Sequence, residues 1–495
     1  MIDTKALRSR ILDLAIQGKL TDQLPSDGTA EELYQQIQTE KQRLVKEGKI
    51  KKEKPLPEIS ADEIPFKIPS NWKIVRLADI SMVISKGTTP RGGKVSYIES
   101  GIGFLRAENL IGFDKIDTSN LKFIDEETHL GYLKRSILES GDILISIAGT
   151  LGRTGIVHKE DLPLNTNQAI AFIRVCNKDL FCLEYIAFML NTAFVQKALG
   201  FKKVDMAIPN LSLNVISNIL LPIPPLAEQK RIVERVEEIF RVLDTIDKAQ
   251  EKYAADAESL KAKLITAGIQ GKLTQQLESD GTAEELYRQI QAEKQKLIKE
   301  GKIKKEKPLP AISDEEIPFE IPGSWKWVRL GNITTKITSG STPYGGKKGN
   351  SYVPQGFCFF REQNIYNDGI HYDGMVFINE ELLNTRQNST VIANDILLNI
   401  TGGSIGRCAI IPSDFDRGSI NQHILIIRLV DTDMRNYIHQ IICSPYIQKL
   451  IKSKAVGDKD GFSGGRCKAT LIPLPPLAEQ KRIADVMEGA LGVLG

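Results

Sequence analysis

The stretch Pro224-Pro225-Leu226-Ala227-Glu228-Gln229-Lys230-Arg231-Ile232 opens a run that continues without Pro or Gly to Ala267 and closes at Gly271. Within it Ile232, Val236, Ile239, Leu243, Ile246, Gln250, Tyr253, Ala257, Leu260 and Leu264 are spaced alternately four and three residues apart. That is the heptad seam of a coiled-coil helix, mostly apolar and polar only at Gln250. At about 1.5 Å per residue, roughly 42 helical residues reach about 60 Å. A lone helix cannot bury such a seam, so the pattern demands a partner helix. One long core helix of a globular domain would show the same periodicity, but the rest of the chain argues for a spacer between two heads.

The sequence on either side repeats itself. Ile16–Thr21 recurs verbatim at Ile269–Thr274, Ser26–Tyr34 at Ser279–Tyr287 and Lys46–Pro57 at Lys299–Pro310. Trp325 follows Trp72 at the same offset of 253 residues. The repeat then weakens but persists. Gly87-Thr88-Thr89-Pro90 answers Gly340-Ser341-Thr342-Pro343, and Gly92-Gly93-Lys94 answers Gly345-Gly346-Lys347. Phe104-Leu105-Arg106 answers Phe359-Phe360-Arg361, and Asn167-Gln168 answers Asn421-Gln422. Pro224–Ile232 returns verbatim at Pro475–Ile483.

The order is therefore helical piece (1–65), head (66–222), central helix with a repeated helical and linker region (223–318), head (319–473) and helical piece (474–495). Residues 1–17 correspond to the end of the central helix and 475–495 to its start. Joined in space, the termini would make nearly a second copy of that helix, short by about nine residues, so the chain reads as circularly organised and pseudo-two-fold. Thr29 and Glu32 form a capping box for a helix to about Glu47. Leu7, Ile11 and Leu14 give residues 1–17 a heptad face. Each head mixes β-rich runs (Ile143–Ile147 and Ile170–Val175; Ile396–Ile400 and Ile424–Val430) with one late amphipathic helix, near Leu183–Leu199 and Met434–Ile451. The fold class is α+β, or mixed α/β, with long antiparallel helices.

At 495 residues the chain exceeds one ordinary core. Lys plus Arg is 65 and Asp plus Glu is 62, a formal charge of +3 that permits local nucleic-acid patches without demanding them. With no signal peptide and no bilayer-length apolar run, the expectation is a soluble, cytoplasmic protein. The six cysteines show no Cys-x-x-Cys spacing and the five histidines do not cluster with them, so free thiols are expected rather than zinc or disulfides.

Catalytic motifs fail one by one. Ile223 and Leu474 precede the Pro-Pro pairs where an amino-methyltransferase needs Asn or Asp, and Leu follows where it needs an aromatic. Gly101-Ile102-Gly103 lacks the later glycine of a dinucleotide loop. Gly87–Lys94 misses a phosphate-binding Walker loop by one residue and has Val95 where Ser or Thr must hold magnesium. No enzymatic activity or metal site is expected of this chain.

Nucleic-acid binding fits better. Lys86, Arg91, Lys94, Lys347 and Lys348 sit on small-residue turns whose amides and cations can hold phosphates. Arg106, Asn109, Arg153, Asn167 and Gln168, with Arg361, Asn364, Arg407, Asn421 and Gln422, are types that read base edges. Taken singly, each also fits a turn residue or a structural hydrogen bond. Positions identical in both heads cannot make the heads read different bases. Specificity must sit where they differ, as at Arg91 against Tyr344, or Ala169 against His423.

Two heads separated by a long helix, each followed by Pro-Pro-Leu-Ala-Glu-Gln-Lys-Arg-Ile, resemble the DNA specificity subunit of type I restriction–modification systems. The Trp72 and Trp325 segments, the Gly-x-Thr-Pro turns and the stretches Asp142–Arg153 and Asp395–Arg407 resemble that family too, so the likeness covers essentially the whole chain. The resemblance implies two target recognition domains, each reading one half of a split, asymmetric double-stranded DNA site, with the coiled coil setting the gap. It implies two modification subunits that bring S-adenosylmethionine and methylate adenine, and two restriction subunits that use ATP and Mg2+, in a prokaryotic cytoplasm. It places partner docking on the repeated segments, here Glu228, Gln229 and Arg231 with Glu479, Gln480 and Arg482. A specificity component of another bifunctional restriction–methylation enzyme, or a scaffold that reads no bases, are the alternatives. Against the family pattern, the second head lacks a counterpart to Ile208-Pro209-Asn210-Leu211-Ser212 and carries Gly461-Phe462-Ser463-Gly464-Gly465 nearby.

Overall fold

A computed structural model describes residues 1–51, 56–60, 63–92, 97–149, 151–200, 211–343, 351–455 and 462–494. The chain divides into two compact units, Met1–Glu251 and Lys252–Gly495. The central helix, Leu226–Ile269, belongs to both.

The first unit starts with helix Thr4–Ile16, capped by the Asp3 carboxylate, which accepts from the Ala6 amide. Its buried face is Thr4, Leu12, Ala15 and Ile16, with Leu7 left 42% exposed. The heptad expected through Leu7 is thus turned by about one position, because the polar edge of the helix engages the central helix. There Thr4 Oγ1 donates to Asp247, and Arg8 Nη2 reaches Asp244 at 2.8 Å and Asp247 at 3.0 Å. Helix Ala30–Lys46 follows with both halves of the Thr29–Glu32 capping box formed, a device that contributes about 1 kcal/mol.

The head is opened and closed by one antiparallel pair, Lys73–Arg76 with Leu220–Ile223. Between them lies a four-stranded sheet in the order Ser81–Lys86, Ile170–Val175, Ile143–Ser146, Thr154–Ile156. A three-stranded sheet, Lys122–Ile124, Ile102–Leu105, Leu164–Thr166, carries a parallel pairing in its second half. Ile143–Ser146 is buried at every position, which explains its continuous apolar run.

The second unit repeats this plan. Lys326–Arg329 pairs with Leu471–Leu474. The four-stranded sheet runs Thr334–Ser339, Ile424–Leu429, Ile396–Asn399, Cys408–Ile410. The other sheet gains a strand: Val376–Ile378, Phe357–Phe360, Arg417–Ile420, Thr390–Ile392. Helix Leu477–Leu494 lies on the last turns of the central helix, with Met487 fully buried there. A Cβ at Gly268 would come within 1.7 Å of Met487 Cε, so the helix keeps a glycine despite its cost to helix propensity.

Three expectations change. Each late helix is two: Leu183–Leu190 and Ala193–Ala198 in the first head, Arg435–Ile442 and Pro445–Ala455 in the second. Thr192 caps the second of the first pair, and Pro445 cannot continue a preceding helix. The central seam is buried at Ile232, Val236, Leu243 and Ala257, but Tyr253 and Leu260 are 61% and 51% exposed. Finally, the second head does have a counterpart of Leu211-Ser212. The Leu211 amide donates to Ile147 O and the Phe462 amide to Ile400 O, both at 3.3 Å, and Ser212 and Ser463 each cap the short helix that follows. The backbone role persists where the residue types have diverged; residues 208–210 and 461 lie outside the described residues.

Candidate nucleic-acid interface

At one end of each head, loops from distant parts of the chain are tied by backbone hydrogen bonds. In the first head the Thr88 amide donates to Thr166 O, Asn167 to Leu105 O, Ile147 to Ala169 O and Leu211 to Ile147 O. The second head does the same through Gly340 to Asn421 O, Asn421 to Phe360 O, Ile400 to His423 O and Phe462 to Ile400 O. The Gly-x-Thr-Pro turn crosses the Asn-Gln loop so closely that a Cβ at Gly87 would stand 2.2 Å from the Thr166 and Asn167 carbonyls. At Gly340 it would stand 2.0 Å from Ile420 O. Thr89 Oγ1 donates to Gln168 Oε1, and Thr342 Oγ1 to Gln422 Oε1. The sequence showed this threonine in both turns, and its repetition was the available signal for a role it was not assigned.

The anticipated side chains separate into two groups. Lys86, Arg91, Arg153, Gln168 and Gln422 are exposed. Arg91 stacks over Tyr132 at 4.7 Å, and Arg407, half-buried, over Tyr366 at 4.4 Å. Arg106 and Arg361 are half-buried, and the enclosed Nε of each has no hydrogen-bond partner among the described residues.

Asn109 and Asn364, by contrast, are buried turn-formers and not base readers. Each accepts from the backbone amide three residues earlier, Arg106 or Arg361, and donates to carbonyls across the loop. Asn167 Oδ1 accepts from the Ala169 amide, and Asn421 is held between the His423 amide and Glu362. Lys94, Tyr344, Lys347 and Lys348 lie outside the described residues.

Residues missed by sequence reasoning are Arg386 and Glu362, which have no like-for-like partner in the first head. Arg386 Nε donates to Ser419 Oγ at 3.1 Å and its Nη2 reaches Ile420 O at 3.1 Å and Ser341 O, beneath the glycine turn.

The repeated Pro-Pro-Leu-Ala-Glu-Gln-Lys-Arg-Ile segments form a second duplicated constellation. Glu228 is completely buried: its Oε2 accepts from the Trp72 indole N–H at 2.9 Å and its Oε1 from Gln23 Nε2 at 2.9 Å. Glu479 repeats this with Trp325 at 2.9 Å and Gln276 at 2.8 Å. Gln229 and Gln480 are buried and donate to Pro224 O and Pro475 O. Arg231 grips Asp27 with two hydrogen bonds, and Arg482 grips Asp280. The hydrogen bonds from these guanidinium groups hold both aspartates below their usual range. Docking through Glu228, Gln229, Glu479 and Gln480 is therefore corrected. Their polar atoms are enclosed in fastening each head to its helix, and only Arg231 and Arg482 keep side-chain exposure, 30% and 35%.

The family model described as type I restriction modification DNA specificity domain matches residues 69–254 and 322–489, one copy over each head and its following helix. The chain belongs to the type I restriction–modification DNA specificity family. Among relatives, it is 28% identical to the type I restriction enzyme EcoAI specificity subunit of Escherichia coli, over 98% of this chain and 88% of that one. To the EcoEI specificity subunit of Escherichia coli it is also 28% identical, over 68% of this chain and 63% of that one. A chain from a solved structure concerned with complex assembly and conformational transition of the type I R-M system shares the fold. Its TM-score is 0.58 at 17% identity, covering 87% of this chain and 92% of the other. In family terms the two heads are its duplicated specificity domains. No helix among the described residues is long and apolar enough to cross a membrane.

Proposed function

We propose that this chain is the specificity subunit of a type I restriction–modification complex. It reads a bipartite, asymmetric DNA target and directs adenine methylation and restriction by partner subunits. The observation that carries this reading is the loop cluster built twice on the same backbone wiring with different exposed side chains. A shared scaffold with divergent contacts is what two half-sites of unlike sequence require.

Lys86, Arg91, Arg153, Gln168, Arg407 and Gln422 are the proposed DNA contacts among the described residues. Arg106 and Arg361, half-buried at the same loop end, join them. Lys94, Tyr344, Lys347 and Lys348 complete the set from the sequence alone.

The chain supplies recognition and no chemistry of its own. S-adenosylmethionine, ATP and Mg2+ belong to two modification and two restriction subunits, in the cytoplasm of a prokaryote. These subunits meet the exposed faces of the repeated helical segments, since the polar side chains of the Glu-Gln pairs are enclosed.

Mapping of methylated adenines in cells with and without this gene tests the reading, with a two-part motif as the expected result. Replacing residues 70–220 by another head should then change one half of that motif. A change in both halves, or in neither, would overturn the assignment of one half-site to each head.

A further inference from the structure

One corner of the second head has chemistry that the first head lacks. In the first head, Asn191 closes the corner between helix Leu183–Leu190 and strand Thr154–Ile156. Its Nδ2 donates to Thr154 Oγ1 at 2.6 Å and to Ala187 O at 2.7 Å. The second head puts Cys443 at the same helix end and His439 one turn before it. On the strand, Cys408 faces Leu398 as Thr154 faces Ile145, so Cys408 and Cys443 take the places of Thr154 and Asn191.

His439 Nε2 lies 2.9 Å from Cys408 O and 3.8 Å from Cys443 Sγ. A carbonyl can only accept, so Nε2 carries the proton and presents it to the sulfur as well. The thiols of Cys408 and Cys443 lie close enough to act on each other's ionisation. Cys408 is buried, Cys443 is part-exposed, and His439 lines a cleft of about 550 Å³ shared with Asn367, Asp368, Gln440 and Glu488.

We propose that Cys443 and Cys408 are an oxidisable thiol pair, with Cys443 the attacking sulfur, Cys408 the resolving one and a hydroperoxide the oxidant. With hydrogen peroxide, the Cys443 thiolate attacks one oxygen and the O–O bond breaks. Hydroxide leaves and takes a proton to become water, giving a sulfenic acid on Cys443. The Cys408 sulfur then attacks that sulfenic sulfur, and water departs with the Cys408 proton. Two thiols lose two hydrogens and two electrons, and one peroxide becomes two waters. The resulting disulfide fastens helix Arg435–Ile442 to strand Cys408–Ile410 in the second head alone.

The surroundings agree with this division of labour. The hydrogen bond from Cys408, then the charge of His439, hold Cys443 well below an ordinary thiol. Burial pushes Cys408 up, and it pushes Cys182 and Cys467 to about 12. Thiolate, not thiol, is the nucleophile.

The test uses the full folded chain. Brief iodoacetamide treatment and peptide mapping should label Cys443 about tenfold faster than Cys182 or Cys358, the other part-exposed thiols, as thiolate character dictates. Hydrogen peroxide should give a linked Cys408–Cys443 peptide lighter by two hydrogens. Cys408→Ser should instead leave a sulfenic acid on Cys443 that dimedone traps, and His439→Gln should slow labelling of Cys443. Labelling of Cys443 no faster than Cys182 or Cys358, or peroxide giving a Cys408–Cys467 link or none, would overturn the proposal.

Discussion

The two heads agree in what is enclosed and differ in what is presented. Asp142 and Asp395 are both buried carboxylates gripped twice by one arginine, Arg174 or Arg428, with each of the four contacts at 2.7 Å. Tyr185 and Tyr437 both donate to a proline carbonyl of the closing strand, Pro222 or Pro473. At the loop end the backbone bonds repeat but the side chains beneath them differ. Where Arg386 braces the glycine turn of the second head, the first has Leu133, fully buried. The first head instead holds this region with Asn165 Nδ2 set against His129 Nδ1 at 3.2 Å. Duplication has kept the ion pair and the tyrosine bond that hold the head together, and has let the buried props beneath the loops diverge.

That comparison can be broken. The largest effect is expected at the buried ion pair. Asp142→Ala leaves Arg174 the exposed Glu139 carboxylate and should cost about 3 kcal/mol by denaturant unfolding, and Asp395→Ala, which leaves Arg428 the Thr390 carbonyl, should cost about 3–5 kcal/mol. A gap of more than about 1.5 kcal/mol between the two, beyond the usual net worth of one hydrogen bond, would show that the heads are not equivalent inside.

Next come the fastenings of head to helix. Glu228→Ala takes the acceptor from the buried Trp72 indole and one of three from the Gln23 amide, and about 1–3 kcal/mol should be lost in thermal or denaturant melts. Glu479→Ala should match it through Trp325 and Gln276. One internal asymmetry sharpens the contrast here. Gln229 Oε1 accepts from the Cys182 amide at 3.1 Å, whereas Gln480 Oε1 has no partner among the described residues. Gln480→Leu should therefore be milder than Gln229→Leu.

Gly87→Ala and Gly340→Ala follow, each forcing a methyl onto backbone carbonyls. A loss of about 1–3 kcal/mol is expected from overpacking, together with weakened DNA binding. Full DNA affinity after either change would remove these turns from the interface.

The smallest effect is electrostatic. Asp27 and Asp280 are held below their unfolded value, so each contributes stability that is present above about pH 3.9, the ordinary aspartate value, and lost as pH falls through the lowered native one. Arg231→Gln and Arg482→Gln should both flatten the acid limb of the stability profile. A change confined to one of them would separate the two joints.

Periodicity and repetition made much of the fold legible. The long helix, the capping box and the inner strands follow from local pattern, and the core strands from continuous apolar runs. Burial of polar residues was not legible. A verbatim Ala-Glu-Gln-Lys-Arg run looks like a surface kept for a partner. Only the tertiary approach of Trp72 and Gln23 shows that Glu228 faces inward. Asn109 was misjudged for the same reason, since a turn-former and a base reader share one side chain. The breaks at Thr192 and Pro445 were visible residues whose stopping power the amphipathic pattern masked.

Between Glu251 and Leu260 the central helix shows solvent on almost every side, with Ala257 its one buried position. Neither core borrows from that segment beyond this single alanine. Turns added or removed there would leave both cores as they are, and would change the length of the helix by about 1.5 Å per residue. The segment therefore works as an independently adjustable part: the helix can be lengthened or shortened by small insertions or deletions in one exposed stretch while both cores stay intact.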